Sequence, residues 1–180
     1  MKAVVVMALL LAVQVRLQAQ PLVTRTGYIG FFSKTPLEDI KAENRQVNAV
    51  IDPEKKNLAF ALLVKGFLFT KALMQQHFNE NYIESDQYPK AHFNGSYSGA
   101  VDLQKNGSYP VQVRGDLTLH GVTKNIEVPA VLEVQDGKLT GRSSFQLKPQ
   151  DFNIKIPSLV RDKIAQQIDV AVKVEYNLSN

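Results

Sequence analysis

"GDLTLHGVTKNIEVP", residues 115–129, holds the chain's clearest sign of a reversal. Leu117 and Leu119 alternate with Asp116 and Thr118; His120-Gly121 interrupts, and Ile126 and Val128 then resume the alternation. A period of two marks a strand with one dry and one wet face. Gly121 supplies the backbone freedom that a tight turn demands. The stretch therefore reads as a β-hairpin with "HGVTK" as its loop. His120 is its corner residue, capping or packing on the turn.

The same period recurs on both sides. Upstream it places Tyr28, Gly30 and Phe32 on one face, then Val47, Ala49 and Ile51, then Leu58, Phe60, Leu62 and Val64, then Ala91, Phe93, Gly95 and Tyr97. The hairpin's own arms add Val111, Val113 and Gly115 before the turn, and Ala130, Leu132 and Val134 after it. Downstream come Leu139, Gly141, Phe145 and Leu147, and finally Ile168, Val170, Val172, Val174, Tyr176 and Leu178. Short turns such as "QKNGS" and "VQDGK" separate several of these runs. Eight antiparallel strands remove their exposed edges best by closing into a barrel, so the fold class is all-β. Such a barrel is either filled by side chains or wide enough for one ligand. Gly30, Gly95, Gly115 and Gly141 read as inward positions where the sheet bends. Pro129, on the outward parity, marks a bulge or a gap in the ladder.

One segment breaks the rhythm. "FTKALMQQHFNENY", residues 69–82, sets Leu73 with His77 and Met74 with Phe78 at helical spacing, and Thr70 is the expected N-cap. The spacing predicts a short amphipathic helix over 70–79. A weaker helical turn is expected at 158–166. An even number of strand crossings separates the two, which puts both at one end of the barrel, as a lid over its mouth.

The first 19 residues stand apart from this pattern. Lys2 is followed by an apolar run at residues 3–15, too short to span a bilayer comfortably, and then by "RLQAQ" with the small Ala19. This reads as a secretory signal, leaving residues 20–180 as one domain. With Lys2 and Arg16 gone, 19 of the 21 basic side chains face 17 acidic ones. The lysines are scattered, which argues against a nucleic-acid partner. The chain has no cysteine, so lipidation, disulfides and thiol chemistry are excluded and the fold must hold by its core.

Motifs for catalysis are sparse. The histidines His77, His92 and His120 show no metal-binding spacing, and a nucleophile elbow, phosphate loop and dinucleotide fingerprint are all missing. No cofactor is implied. Glu80, Glu84 and Asp86 crowd one connection, which reads as a solvated polar loop. An enzyme would have to be centred on Glu80, Glu84, His77 and His120.

The hairpin stretch closely resembles the signature of the YceI-like family of lipid- or polyisoprenoid-binding proteins. "YPKAHF", residues 88–93, is similar to that family's Tyr-Pro-x-x-x-Phe segment, and "SSFQLKPQDFNI", residues 143–154, to its Asp-Phe-x-Ile turn. The resemblance covers roughly residues 58–178 and implies a lipocalin-like eight-stranded barrel in a bacterial periplasm, with a long isoprenoid or fatty chain in an apolar tunnel. Residues 27–46 depart from the family pattern, being shorter and lacking histidine, so contacts to a lipid head group do not carry over.

The function expected is a secreted or periplasmic binding protein without catalysis, meeting a membrane only transiently for lipid exchange. Its tunnel wall is expected to include Phe60, Leu62, Phe93, Tyr97, Leu117, Leu119, Val128, Phe145, Leu147, Val170 and Val172, with Leu73, Met74 and Phe78 closing the mouth. The alternative is a filled barrel acting through its outer surface. Ala59, Ala61 and Leu63 sit on the outward parity of the third strand, where they lie under the helix or form a homodimer contact.

Overall fold

A computed structural model describes residues 20–178. The expected signal, residues 1–19, lies outside them. The chain forms eight long strands: β1 (Leu22–Lys34), β2 (Asp39–Asp52), β3 (Asn57–Leu63), β5 (Lys90–Ser98), β6 (Gly107–Leu119), β7 (Val122–Gln135), β8 (Lys138–Leu147) and β9 (Ile168–Asn177). A two-residue strand, β4 (Leu68–Phe69), adds to β2 beside Ala42 and Glu43. Every pairing is antiparallel, in the order β1-β9-β8-β7-β6-β5-β3-β2, and β1 pairs back to β2 to close the barrel.

The central hairpin is tighter than expected. Leu119 pairs directly with Val122, so the loop is His120-Gly121 alone, and Val122 to Lys124 belong to β7. Both turn residues have positive φ, 51° and 72°, which gives the primed turn that suits the twist of paired strands.

The N-terminal strand corrects the sequence reading. Tyr28, Gly30 and Phe32 do not face inward; Ile29, Phe31 and Ser33 do. Register shifts on either side of Gly27 flip the parity of β1 midway, as a bulge does. Gly30 is thus outside, where the Tyr28 ring lies across it. Residues 27–46 form most of a long hairpin. β2 carries its own parity change, with Ala42 and Asn44 buried before Arg45-Gln46 and Val47, Ala49 and Ile51 buried after. Asn44 is satisfied there, donating to the Leu63 carbonyl at 3.0 Å and accepting from the Gln46 N–H at 2.8 Å.

Gly95 and Gly115 face each other across β5 and β6, and a Cβ on either would strike the opposing backbone. The Phe93 ring covers both. This close approach lets the sheet curl. Pro129 marks a gap: β7 pairs with β8 only from Ala130 to Gln135, and the Pro129 carbonyl accepts instead from Ser143 Oγ at 2.7 Å.

Helix α1 (Ala72–His77) is shorter than predicted and continues as a π-helical turn, Phe78–Tyr82. Lys71, not Thr70, precedes it, and no side chain caps its first turn. A 3-10 turn, Ser158–Lys163, stands where the weaker helix was expected. The helix does not cover the outer face of β3; Ala61 and Leu63 remain exposed there.

Two apolar clusters divide the interior. At the end holding the 53–56 and 136–137 turns, Ala49, Ile51, Leu58, Val111, Leu132, Val134, Leu139 and Tyr176 pack together and fill the barrel. Toward the other end, Ala42, Val47, Leu62, Val64, Phe67, Ile83 and Ala91 pack around the long connections that bear α1.

Candidate functional site

Between those clusters the barrel is hollow. A cavity of about 620 Å³ runs from the closed end to α1, within the range of small-molecule sites. Thirteen of the fourteen residues expected at the tunnel border it. Phe60, Leu62, Phe93, Leu117, Leu119, Val128, Phe145, Leu147, Val170 and Val172 line the wall, and Leu73, Met74 and Phe78 the mouth. Tyr97 is placed elsewhere. It is buried in the closed-end cluster, with its hydroxyl 3.4 Å from the Pro53 carbonyl it donates to.

The wall residues explain why the cavity is open. Phe60, Leu117, Val128, Phe145, Leu147 and Val172 point inward yet stay only half-buried, whereas Leu139 and Val134 beyond them are fully buried. Inward side chains with no neighbour opposite leave apolar surface unpacked, which a ligand could cover.

Several wall residues escaped the sequence reading. Phe31 was hidden by the β1 bulge. It meets Phe67, Phe69 and Phe78 at ring-centroid distances of 5.2, 5.7 and 5.6 Å, an aromatic wall below the mouth. Phe152, Ile154, Ile156, Val160 and Ile164 also border the cavity from the long β8–β9 connection. The alternation of Ile154 and Ile156 was a usable signal, but it falls outside any strand.

Polar groups gather at the rim. Lys71 Nζ bridges to Glu38 Oε1 at 3.0 Å, joining the start of α1 to the β1–β2 turn. The Ala165 N–H donates to the buried Ser33 Oγ at 2.8 Å, joining the β8–β9 connection to the end of β1. Lys148, Lys163 and His77 also border the opening. Burial raises the pKa of the Tyr176 hydroxyl deep in the barrel, and burial does the same for Tyr82 on the turn that continues α1.

The four residues that an enzyme would have needed are not gathered at one point. His120 Nε2 lies 2.7 Å from Glu84 Oε2, and its Nδ1 lies 3.0 Å from the Phe152 carbonyl oxygen. The Tyr88 ring meets the imidazole edge-on at 4.4 Å. Glu80 accepts instead from Gln76, and His77 faces the cavity. His120 does not border the cavity and ties three connections together, so its contacts are those of a strut.

The YceI-like domain family matches residues 15–176. Protein YceI of Shigella flexneri is 31% identical over 101 residues, 53% of this chain and 48% of that protein, so the chain spans about half the length of this relative. A polyisoprenoid binding domain from Saccharophagus degradans, implicated in plant cell wall breakdown, superposes with a TM-score of 0.74 at 14% identity, covering 87% of this chain and 97% of that one. BcnA of Burkholderia cenocepacia gives 0.70 at 16% identity, covering 83% and 95%. A Campylobacter jejuni YceI protein gives 0.62 at 18% identity, covering 76% and 84%. At these identities the solved structures establish a shared fold.

Proposed function

The chain belongs to the YceI-like family, and we propose that it is a binding protein holding one long apolar chain, polyisoprenoid or fatty, inside its barrel. One observation carries this reading: a cavity of about 620 Å³ walled largely by apolar side chains that are left only half-buried toward it. Moving a methylene from water into such a space contributes about 0.8 kcal/mol, so an extended lipid binds firmly without a dense set of polar contacts. The Saccharophagus degradans neighbour, a polyisoprenoid binding domain, supports the same ligand class. In this reading the protein sequesters or carries its ligand and performs no chemistry on it. The apolar segment at residues 3–15 directs it out of the cytoplasm to a periplasmic or secreted location.

Delipidated protein titrated with a fluorescent prenyl or fatty-acyl compound tests this. Saturable uptake of one molecule per chain, reversed by an unlabelled long-chain lipid, is the expected result. Native mass spectrometry of protein taken from its own host should also show an added mass in the lipid range. Neither uptake nor added mass would end the reading.

A second reading rests on β3. Leu63 is 57% exposed on the outer face of the barrel, beside the exposed Ala61. There the chain would act through its surface, as a homodimer.

A further inference from the structure

We infer that the rim of the cavity is a docking surface for an anionic lipid bilayer. This inference rests on the binding reading, because it sets the opening against a source of apolar chains. The rim carries the most exposed leucines of the described residues: Leu37 at 66%, Leu68 at 61%, Leu73 at 62% and Leu159 at 92%. They stand on three separate connections, which two contacts hold together. Lys71 pairs with Glu38, joining the turn of Leu37 to the segment of Leu68 and Leu73. The Ala165 N–H bonds Ser33 Oγ, joining the connection of Leu159 to the end of β1.

The net charge on these segments is positive. Residues 34–39, 68–74 and 155–165 hold five cations against three carboxylates, and the rest of residues 20–180 holds 14 of each. The whole positive excess of that stretch therefore lies around the mouth. Lys34, Lys155, Arg161 and Lys163 form no ion pair among the described residues. Apolar tips flanked by unpaired cations match the interface of an anionic membrane, where leucines enter the acyl boundary and lysines meet head groups. An acidic protein surface would satisfy the cations, but it would leave Leu159 in water. Docked this way, the mouth between α1 and the 158–163 turn opens onto the bilayer, and a chain can pass without crossing water.

Flotation with vesicles of phosphatidylglycerol in phosphatidylcholine, compared with phosphatidylcholine alone, tests the surface. The full protein should float with anionic vesicles, much less with neutral ones, and less at high salt. Two double variants leave the cavity wall intact: Leu37→Asp with Leu159→Asp, and Lys155→Glu with Arg161→Glu. Each should cut vesicle binding by about tenfold or more, while uptake of a fluorescent fatty-acyl compound stays unchanged. Failure of the wild type to float with anionic vesicles, or flotation of both variants as well as wild type, would overturn the inference. Because uptake is measured separately, uptake without flotation removes docking alone. Flotation without uptake removes the cavity reading and leaves docking standing.

Discussion

His120 joins segments 32 and 36 residues away, through the Phe152 carbonyl and the Glu84 carboxylate. Removing the imidazole leaves a buried carbonyl without a donor, so His120→Ala should cost about 1–3 kcal/mol in denaturant unfolding. Glu84→Gln should cost only a few tenths, because that carboxylate is half-exposed. Equal losses would show that the Glu84 contact, not the buried one to Phe152, holds the corner. Gly121 made the place of the turn legible in the sequence, but not its length: the loop reads as five residues, and the chain closes it in two, His120 and Gly121, both at positive φ. The partners of His120 were not legible, because nothing local ties residue 120 to 84 or 152. Buried phenols set a second expectation. Burial pushes the Tyr176 hydroxyl above its ordinary 10.0. Burial, and next the charge of Asp52, does the same for Tyr97. The folded state thus favours the protonated phenols. Their stabilisation is complete below the unfolded value near 10 and is lost as pH rises beyond it, where the unfolded chain ionises first. Tyr176→Phe should therefore move the alkaline unfolding midpoint upward, followed by circular dichroism. An unchanged midpoint would mean that Tyr176 does not control that transition.

Strands separate what the period of two can reveal from what it cannot. β9 and the β6–β7 hairpin keep one parity throughout, and their inward residues were readable. β1 changes parity near Gly27, where a single inserted residue flips every later side chain, so an unbroken period puts Tyr28, Gly30 and Phe32 inward where Ile29, Phe31 and Ser33 stand. The β8–β9 connection supplies Phe152 and Ile156 to the cavity without any regular period. Leu147, near the end of β8, gives the sharpest test of the hollow. If the space is empty, Leu147→Trp places an indole in it, keeps the stability of the delipidated protein within about 1 kcal/mol, and excludes a bound chain. If the barrel were packed there, the larger ring would cost about 1–3 kcal/mol. Denaturant midpoints read beside ligand uptake distinguish the two. On β3, light scattering of the wild type and Leu63→Lys addresses the dimer. A dimer that the lysine dissociates supports it, and a monomeric wild type removes it.

Taken whole, the barrel has a packed end and a hollow end, and the two should respond differently to the loss of a side chain. Leu139 is 0% exposed in the closed-end cluster, touched on all sides. Leu139→Ala removes those contacts and leaves a void that its neighbours cannot fill, so about 2–5 kcal/mol should be lost. Leu147→Ala truncates a wall that already borders empty space, and should cost about 1 kcal/mol or less. Ligand adds a third comparison. A lipid that binds only the folded barrel stabilises it by mass action, about 2.7 kcal/mol at a hundredfold excess over its Kd. Leu139 does not border the cavity. Wild type and Leu139→Ala should therefore gain the same increment on saturation, because a distant packing defect and an intact cavity act independently. Leu147→Trp, with its space occupied, should gain none. Thermal unfolding of the three proteins with and without a long-chain lipid measures all of this at once. Equal losses from Leu139→Ala and Leu147→Ala, with no lipid-dependent shift in any of them, would describe a barrel filled from end to end, and its function would then have to lie on its outer surface.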